Sequence, residues 1–218
     1  MDPDLMKLIM MFDNKQVDCV LDVGANVGQY ADAVRGAGYQ GRIVSFEPQG
    51  MPHAELAAAA AADPFWEVPP PMALGDEEGE VTIHVSNRSD MSSVLPMSDA
   101  TLAALPKSYY TGEVEKVPCH RLDGIFDEYV KTARHSFLKI DSQGYEWKIL
   151  QGAEKCIDKL TGIQLEMSLV EMYEGEKLLS DLTNLLKNRG FDLHMLIPGY
   201  FSKKLKRQMQ VDGIFFRG

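Results

Sequence analysis

The segment Asp22–Gly28, with the sequence DVGANVG, constrains the fold more than any other part of the chain. It follows Cys19–Val23, a continuous apolar run with one acid that is typical of a buried parallel strand. It precedes Gln29–Ala37, whose spacing predicts a helix that ends at glycines. A strand, a glycine loop and the start of a helix together form a crevice that binds nucleotide-like ligands.

The rest of the chain continues to alternate between strands and helices. Further strands are predicted at Arg42–Glu47, Trp66–Leu74 (broken by the prolines 69–71), Val81–Val85, Val114–Arg121, Ser136–Asp141, Ile163–Met167, Leu193–Ile197 and Val211–Phe216. The predicted helices are Met6–Phe12, Met51–Ala62, Leu122–Val130, Tyr145–Leu150 and Glu176–Arg189. This alternation indicates a mostly parallel sheet with helices on both faces. The last two strands lack a helix between them, so we expect them to be antiparallel neighbours.

The chain of 218 residues fits one domain, 1–218. Within it, residues 1–18 are expected to form a helical cover at the domain edge. The polar, irregular stretch Ser86–Pro106 is long for a compact domain, and only a short helix is expected in it. We interpret it as an acceptor-site loop that covers the active site.

Composition argues against several other classes of protein. The net charge is −10, and Lys203–Arg207, the one basic run, is interpreted as a solvated turn, so no nucleic-acid partner is expected. No apolar run approaches the roughly 20 residues of a membrane span, and no signal peptide is visible. The three cysteines form no C-x-x-C pair, which favours a reducing compartment and a cytoplasmic location.

Two ligands suit the glycine loop, NAD and S-adenosylmethionine. Gly24 and Gly28 allow close approach of a ligand, and Glu47 at the end of the next strand can accept hydrogen bonds from both ribose hydroxyls. The loop lacks the middle glycine of G-x-G-x-x-G, which lets a pyrophosphate come close. Asp22 can bind a cationic amino group directly or through water. These features favour S-adenosylmethionine, and an NAD-dependent oxidoreductase remains the less favoured alternative.

Several motifs, in order from Val20 to the C-terminus, resemble those of the FkbM-type methyltransferases. They are CVLDVGANVGQY, GRIVSFEP, ALGD, FLKIDSQGYE and QVDGIFF. The resemblance implies a Rossmann-like class I methyltransferase fold, a seven-stranded mostly parallel sheet with an antiparallel last strand. It also implies transfer of a methyl group from S-adenosylmethionine to a hydroxyl oxygen of a sugar or small metabolite. One departure is Gln143, where many members have glutamate, and a glutamate needed for the chemistry would put activity in doubt.

The resemblance and the rule that ligands bind beyond the carboxyl ends of parallel strands together select the cofactor contacts. The methionine end is assigned to Asp22, Gly24, Asn26, Gly28 and Gln29. The ribose is assigned to Glu47 and Pro48, and the adenine to Ala73, Leu74 and Asp76. Asp141 and Ser142 are expected to face the sulfonium and the acceptor. Asp76 has an alternative interpretation as part of a solvated acidic turn with Glu77 and Glu78.

The candidate catalytic groups are Asp141, Glu166, Asp212 and Lys139. The acids can remove a proton from an alcohol. Lys139 is expected to pair with Glu166, either tuning its pKa or forming a buried structural ion pair. Asp141 and Glu166 also resemble a pair of Mg²⁺ ligands, but no third ligand is obvious and a metal is not expected.

The acceptor is expected to contact Ser92, Ser93, Tyr173 and Tyr200, although either tyrosine could simply cap the core. His84, His120 and His194 are general-base candidates, for which solvated or core-edge positions are the favoured interpretation. A domain that binds the cofactor without catalysing transfer is the remaining alternative. The acceptor's identity and the oligomeric state do not follow from the sequence.

Overall fold

A computed structural model describes residues 2–87, 91–104 and 110–218. Its helices are α1 Pro3–Lys15, α2 Gln29–Gly36, α3 Gly50–Ala60, α4 Asp99–Ala104, α5 Leu122–Val130, α6 Glu146–Gly152 and α7 Leu179–Asn188. Its strands are β1 Cys19–Val23, β2 Arg42–Phe46, β3 Trp66–Glu67, β4 Ala73–Leu74, β5 Gly79–Ser86, β6 Tyr110–His120, β7 Ser136–Ile140, β8 Leu160–Ser168, β9 Phe191–Pro198, β10 Phe201–Ser202, β11 Arg207–Gln208 and β12 Gln210–Arg217. None of the helices described here is long and apolar enough to cross a membrane.

Seven strands form the main sheet in the order β3-β2-β1-β7-β8-β12-β9. In this order, β3, β2, β1, β7 and β8 are all parallel to one another. Strand β12 is antiparallel to both β8 and β9. The predicted mostly parallel sheet with an antiparallel last strand is therefore confirmed. The chain runs outward from β1 to β3 and then returns to β7 on the other side of β1. That reversal opens a crevice at the carboxyl ends of β1 and β7.

Successive residues of the central strands point to opposite faces of the sheet, and each face is covered by helices. On one face, Val20 and Phe137 pack in a buried cluster with residues of α1, α2 and α3. On the other, Leu21 and Leu138 pack in a cluster with residues of α5, α6 and α7. Helices on both faces were predicted from the alternation of elements, and the two clusters confirm it.

The third predicted strand, Trp66–Leu74, is broken at its prolines, as the sequence indicates. It is split into β3, which belongs to the main sheet, and β4, which pairs with β6 in a separate three-stranded sheet. The triple proline 69–71 lies between them, and proline cannot donate a backbone hydrogen bond to a ladder. The strands predicted at Val81–Val85 and Val114–Arg121 are present as β5 and β6, but they pair antiparallel outside the main sheet. Two pairs of strands, β5 with β6 and β9 with β12, therefore depart from the alternation of parallel strands and helices.

The predicted acceptor-site loop lies only partly within the described residues. It begins where β5 ends and contains α4, the expected short helix. Positions 88–90 and 105–106 of the predicted loop lie outside the described residues.

Helix α1 covers one face of the sheet through three buried residues, Leu8, Ile9 and Phe12. The Phe12 ring meets the Phe137 ring edge-on at a centroid distance of 4.7 Å and that of Tyr39 at 5.4 Å. Edge-to-face aromatic pairs at this spacing add to the free energy gained by burial. Within the helical cover expected at 1–18, Phe12 thus joins α1 to an aromatic ring of the central strand β7.

We predict that Phe12→Ala lowers the free energy of unfolding by roughly 3–5 kcal/mol, because it leaves a cavity between α1 and the sheet. Met10→Ala, at a 67% exposed position of the same helix, is the matched control and should change it by less than about 0.5 kcal/mol. Urea denaturation followed by circular dichroism measures both. Equal effects of the two substitutions would contradict the docking of α1 described here.

Candidate functional site

The carboxyl ends of β1, β2 and β7 meet at one edge of the sheet. Val23 is in register with Phe46 on one side and with Ile140 on the other, so the next residues, Gly24, Glu47 and Asp141, are neighbours. A cavity of about 350 Å³ opens there and is lined by all three of these residues. Its size falls within the ~300–1,000 Å³ range of small-molecule sites.

The two glycines of the loop have different roles. Gly24 lines the cavity at φ +73°, and a Cβ there would lie 1.8 Å from the carbonyl oxygen of Asp141. A side chain at this position would therefore push β1 and β7 apart. Gly28 is buried away from the cavity, where a Cβ would meet the rings and methyls of Trp66 and Leu56. Its predicted contact with a ligand is not supported, because its role is to let α2 pack closely.

Glu47 is a buried carboxylate on the cavity wall, 6% exposed. One of its oxygens accepts a hydrogen bond from the backbone N–H of Asn26 at 2.8 Å, and the other from that of Gln49 at 2.9 Å. Burial raises its pKa, which the two backbone donors partly offset. Each carboxylate oxygen has a second lone pair, so both remain able to accept a further hydrogen bond.

Asn26 places an unsatisfied polar atom beside this carboxylate. Its side-chain Oδ1 is buried without a hydrogen-bond partner, although Asn26 itself lines the cavity. Buried acceptors are nearly always satisfied in proteins, and a donor on a ligand in this cavity would satisfy this one. Gln29, the first residue of α2, lines the same part of the wall.

An apolar slot forms the opposite part of the cavity. It is lined by Phe46, Met72, Ala73, Leu74, Ile83 and Ile149, and Pro48 borders it. Ala73 and Leu74 are therefore on the wall as predicted. Asp76 is not, because its carboxylate pairs with the Lys148 ammonium at 2.6 Å outside the cavity.

A buried ion pair lies beneath the cavity. The Lys139 ammonium is 3.0 Å from the Asp22 carboxylate, which is fully buried and also accepts a hydrogen bond from Ser45 Oγ at 3.2 Å. The expected binding of Asp22 to a ligand's amino group is therefore not supported, because the cation that it meets is a lysine of this chain. Burial opposes the charge on Lys139, but Asp22 and Asp141 outweigh it and raise its pKa.

The predicted Lys139–Glu166 pair is wrong. Lys139 lies 3.8 Å from Asp141 instead, and Glu166 lies outside the lining of the cavity. Gln143 Nε2 comes between the two acids, donating to Asp141 Oδ1 and to Glu166 Oε2, both at 2.9 Å. The departure noted at Gln143 thus places an amide donor where a glutamate would add a third carboxylate.

Two further hydrogen bonds hold this cluster. Tyr173 Oη donates to Gln143 Oε1 at 2.7 Å, and Gln210 Nε2 donates to Glu166 Oε2 at 2.8 Å. Burial, followed by repulsion from Asp141, raises the pKa of Glu166 well above its ordinary value.

Asp212 enters the cavity wall from β12. Gln164 Nε2 donates to its Oδ1 at 3.4 Å, and Tyr30 Oη donates to Gln164 Oε1 at 3.2 Å. Burial and repulsion from Asp141 raise the pKa of Asp212 to about 6. Gln143, Tyr30, Gln164 and Tyr145 all line the cavity but were not predicted as site residues. These side chains are uncharged, and nothing in the local sequence pattern marked them for this role.

Glu146, also not predicted, organises the loop after β7. It is buried, and one of its oxygens accepts hydrogen bonds from the Ser142 N–H at 2.9 Å, from Ser142 Oγ at 3.0 Å and from the Gly144 N–H at 3.3 Å. Burial raises its pKa to about 7. The motif SQGYE carried this signal, since its acid starts a helix directly after a glycine loop.

The predicted acceptor residues separate into two groups. Ser92 and Ser93 line the cavity, and Ser93 Oγ also donates to the Gln143 carbonyl at 2.6 Å. Tyr173 is fully buried and borders a smaller neighbouring cavity of about 160 Å³ together with Ser93 and His84. Tyr200 is 39% exposed and borders neither cavity.

Histidines and metal-binding clusters are not features of this wall. His84, His120 and His194 lie outside the lining of the main cavity. His120 contacts Glu78, and His194 contacts the Asp192 carbonyl. Within the described ranges, no group of three or more His, Cys, Asp or Glu side chains is arranged to hold a metal ion.

Comparison with known proteins agrees with this arrangement. The model of the methyltransferase FkbM domain matches residues 22–193, most of the chain. The chain belongs to the FkbM methyltransferase family. No curated protein sequence matches it. The predicted family is therefore confirmed, and with it the assignment of the chain as a methyltransferase.

Solved structures show the same fold at low identity. Magnesium protoporphyrin IX methyltransferase from Synechocystis PCC 6803, solved with bound S-adenosylmethionine, is 12% identical, with a TM-score of 0.51 over 99% of this chain and 77% of that one. A candidate tRNA methyltransferase from Streptococcus pneumoniae, solved with S-adenosyl-L-methionine, is 13% identical, with a TM-score of 0.51 over 100% of this chain and 74% of that one. These similarities establish the class I methyltransferase fold and leave the acceptor open.

We predict that Glu146 makes stability fall as pH rises from about 4.5 to 7. Its folded pKa of about 7 lies above the ordinary value of 4.5, so the folded state binds more protons across this window. The free energy of unfolding of the wild type relative to Glu146→Gln should drop by roughly 3 kcal/mol across it. Urea denaturation at a series of pH values measures this. Glu80→Gln, at an exposed position, controls for the lost charge, and a flat Glu146→Gln difference curve would refute the assignment.

Proposed function

We propose that this FkbM-family methyltransferase transfers a methyl group from S-adenosylmethionine to a hydroxyl oxygen of a sugar or small metabolite. The observation that carries the proposal is the buried carboxylate of Glu47, which shares one cavity with the glycine loop and the apolar slot. Family membership supports the methyl transfer. The choice of oxygen as acceptor atom is our inference from the acids on the wall.

The polar and apolar groups that line the cavity suit this cofactor. Glu47 has the spare lone pairs to accept two ribose hydroxyls, and the orphan Oδ1 of Asn26 is an acceptor for an amino group. The slot around Leu74 and Ile149 is apolar enough for an adenine ring. Lys139, on the wall with one N–H not used by Asp22 or Gly24, offers a charge for a carboxylate.

When bound, S-adenosylmethionine supplies an electrophilic methyl group. The task of the protein is then to align the acceptor oxygen with that group and to remove its proton. Asp212 is our choice of general base, because burial and Asp141 make it a stronger base than an exposed carboxylate. Asp141 is the second acid on the wall. Its carboxylate lies 3.8 Å from the Lys139 ammonium and accepts a hydrogen bond from Gln143.

The charge of the wall favours a neutral acceptor. Asp141 and Asp212 face the same cavity, and Glu166 lies directly behind Gln143. An acceptor that presented an anionic group to these acids would be repelled at close range. A hydroxyl can instead donate to a carboxylate, and Ser92 and Ser93 add hydroxyls to the same wall. Tyr173 and Tyr200 do not line the main cavity, so they would contact only a part of the acceptor that extends beyond it.

A cofactor-binding domain without catalysis is the second hypothesis. The substitution of glutamine for glutamate at 143 is the observation that favours it. The Gln143 amide, however, donates hydrogen bonds to both Asp141 and Glu166. Both carboxylates therefore stay in place as candidate bases. An NAD-dependent oxidoreductase is not proposed, because the chain belongs to a methyltransferase family.

We expect Glu47→Gln to weaken binding of S-adenosylmethionine by about 10- to 100-fold, because charge-assisted hydrogen bonds to the ribose are lost. Isothermal titration calorimetry measures the affinity, and thermal unfolding without ligand checks that the variant is folded. Glu80→Gln, the same chemical change at an exposed position, should leave affinity unchanged. The cofactor assignment fails if the wild type shows no binding at millimolar concentration, and the ribose assignment fails if Glu47→Gln binds equally well.

The rate of methyl transfer should fall with decreasing pH below about 6, where Asp212 becomes protonated and can no longer accept a proton. Asp212→Asn should lower kcat by on the order of 10²- to 10⁴-fold while cofactor affinity is retained. Asp192→Asn, at an exposed position of β9, is the matched control. A pH profile that is unaltered in Asp212→Asn would exclude Asp212 as the base.

The acceptor atom is tested with S-adenosylmethionine that carries a ¹³C-labelled methyl group. The enzyme is incubated with a panel of sugars and small alcohols, and the carbon chemical shift of the product distinguishes a methyl on oxygen from one on nitrogen or carbon. A signal from an O-methyl group is expected. An N- or C-methyl product would overturn the oxygen assignment, and cofactor binding without any transfer across the panel would favour the non-catalytic hypothesis.

A further inference from the structure

A basic hairpin projects beyond the main sheet between β9 and β12. We define it as Tyr200–Gln208, in which β10 and β11 pair antiparallel across the turn 203–206. Its four cations are all exposed: Lys203, Lys204, Lys206 and Arg207. The hydrogen bond from the Met209 N–H to the Tyr200 carbonyl closes the base of the hairpin at 2.9 Å.

The charge of this hairpin contrasts with that of the rest of the chain. The chain has a net charge of −10, yet no aspartate or glutamate occurs between Asp192 and Asp212. The hairpin is therefore a local positive region on an acidic protein. Such segregation turns the hairpin toward a negatively charged surface.

Large apolar side chains are exposed among these cations. Phe201 is 51% exposed, Leu205 48% and Tyr200 39%. Exposed apolar groups gathered at one place, beside cations, mark a surface that is covered by a partner. A basic segment with Phe, Leu or Tyr side chains matches the boundary between lipid headgroups and acyl chains, where apolar burial and charge attraction act together.

The hairpin lies at the same edge of the sheet as the cavity. It starts just after β9 ends at Pro198, and β12, which carries Asp212, starts just after it. Gln208 Nε2 donates to the Gln210 carbonyl at 2.7 Å, and the Gln210 side chain donates to Glu166. A surface that bound the hairpin would therefore lie on the cavity side of the protein.

We propose that the basic hairpin docks this protein onto the surface of a bilayer that contains anionic lipids. Lys203, Lys204, Lys206 and Arg207 contact lipid phosphates, and Phe201 and Leu205 enter the headgroup region. A bilayer is favoured over a nucleic acid because Phe201 and Leu205 are exposed beside the cations, and a bilayer offers an apolar region that can bury both. The proposal does not depend on methyl transfer, since docking requires neither cofactor nor acceptor.

The test is co-sedimentation of the full chain with sucrose-loaded vesicles. Vesicles of phosphatidylcholine with one third phosphatidylglycerol should bind the protein at low salt, vesicles of phosphatidylcholine alone should not, and raised salt should release it. Reversing two charges, with Lys203→Glu and Arg207→Glu together, should weaken binding by roughly tenfold or more. The matched control is Lys155→Glu with Lys187→Glu. These residues are exposed, and Lys187 lies in the last turn of α7 before β9, at the opposite edge of the sheet.

The apolar contribution is tested by Phe201→Ser with Leu205→Ser, which leaves the charge unchanged and should also weaken binding. Phe65→Ser with Met10→Ser removes two apolar side chains elsewhere that are at least as exposed as Phe201 and Leu205, and it should have no effect on vesicle binding. Calorimetric cofactor binding, expected to be unchanged, shows that each variant is folded.

Absence of binding to anionic vesicles would overturn the proposal, as would equal losses in the hairpin and control variants. Hairpin-dependent binding to a single-stranded RNA that anionic vesicles fail to displace would overturn it in favour of a nucleic-acid partner. If the wild type binds anionic vesicles through the hairpin but does not bind S-adenosylmethionine, the proposed function fails and the docking proposal stands.

Discussion

The buried ion pair between Lys139 and Asp22 is the interaction on which the site depends. Removing two charges from water costs several kcal/mol for each ion, so the pair is stable only while both partners stay in place. It joins β1 to β7 directly below the cavity, where Gly24 leaves no room for a side chain. Because the same ammonium lies 3.8 Å from Asp141, the pair also stabilises a negative charge on the cavity wall. One lysine thus both joins two central strands and stabilises the charge of an acid on the cavity wall.

Amide side chains keep the acids of the site together. Glu166, Asp141 and Asp212 would repel one another in a space that burial has made poor in water, and both effects raise carboxyl pKa values. Gln143 and Gln210 place neutral donors on Glu166, and Gln164 does the same for Asp212. A glutamate at 143 would remove one of these donors and add a charge. The glutamine is therefore compatible with a working acid cluster, in which protonation of one acid favours the charge on its neighbour.

Local patterns predicted the parts of the structure that local physics determines. The unit from β1 to Glu47 followed from short-range periodicity and the glycine loop, and the antiparallel last strand followed from the lack of a helix before it. The errors at Asp22 and Lys139 arose from a long-range pairing, because which carboxylate meets a lysine depends on strand order and register. The break of Trp66–Leu74 at its triple proline followed from the sequence, but the pairing of β4 with β6 in a separate sheet is long-range and did not. Glu146 and Gln143 were missed as site residues because their roles depend on the shape of the loop after β7.

The acid cavity and the basic hairpin impose opposite demands on whatever approaches this edge of the sheet. Asp141 and Asp212 repel an anion at the reacting centre, whereas the lysines of the hairpin attract one nearby. Both demands are met by an acceptor whose reactive end is a neutral hydroxyl group and whose other end is anchored to an anionic surface. A hydroxyl-bearing headgroup or glycan attached to a membrane has this form, and a free anionic metabolite does not. If both proposals hold, the acceptor is therefore reached at a membrane surface, with the hairpin setting the distance between that surface and Asp212.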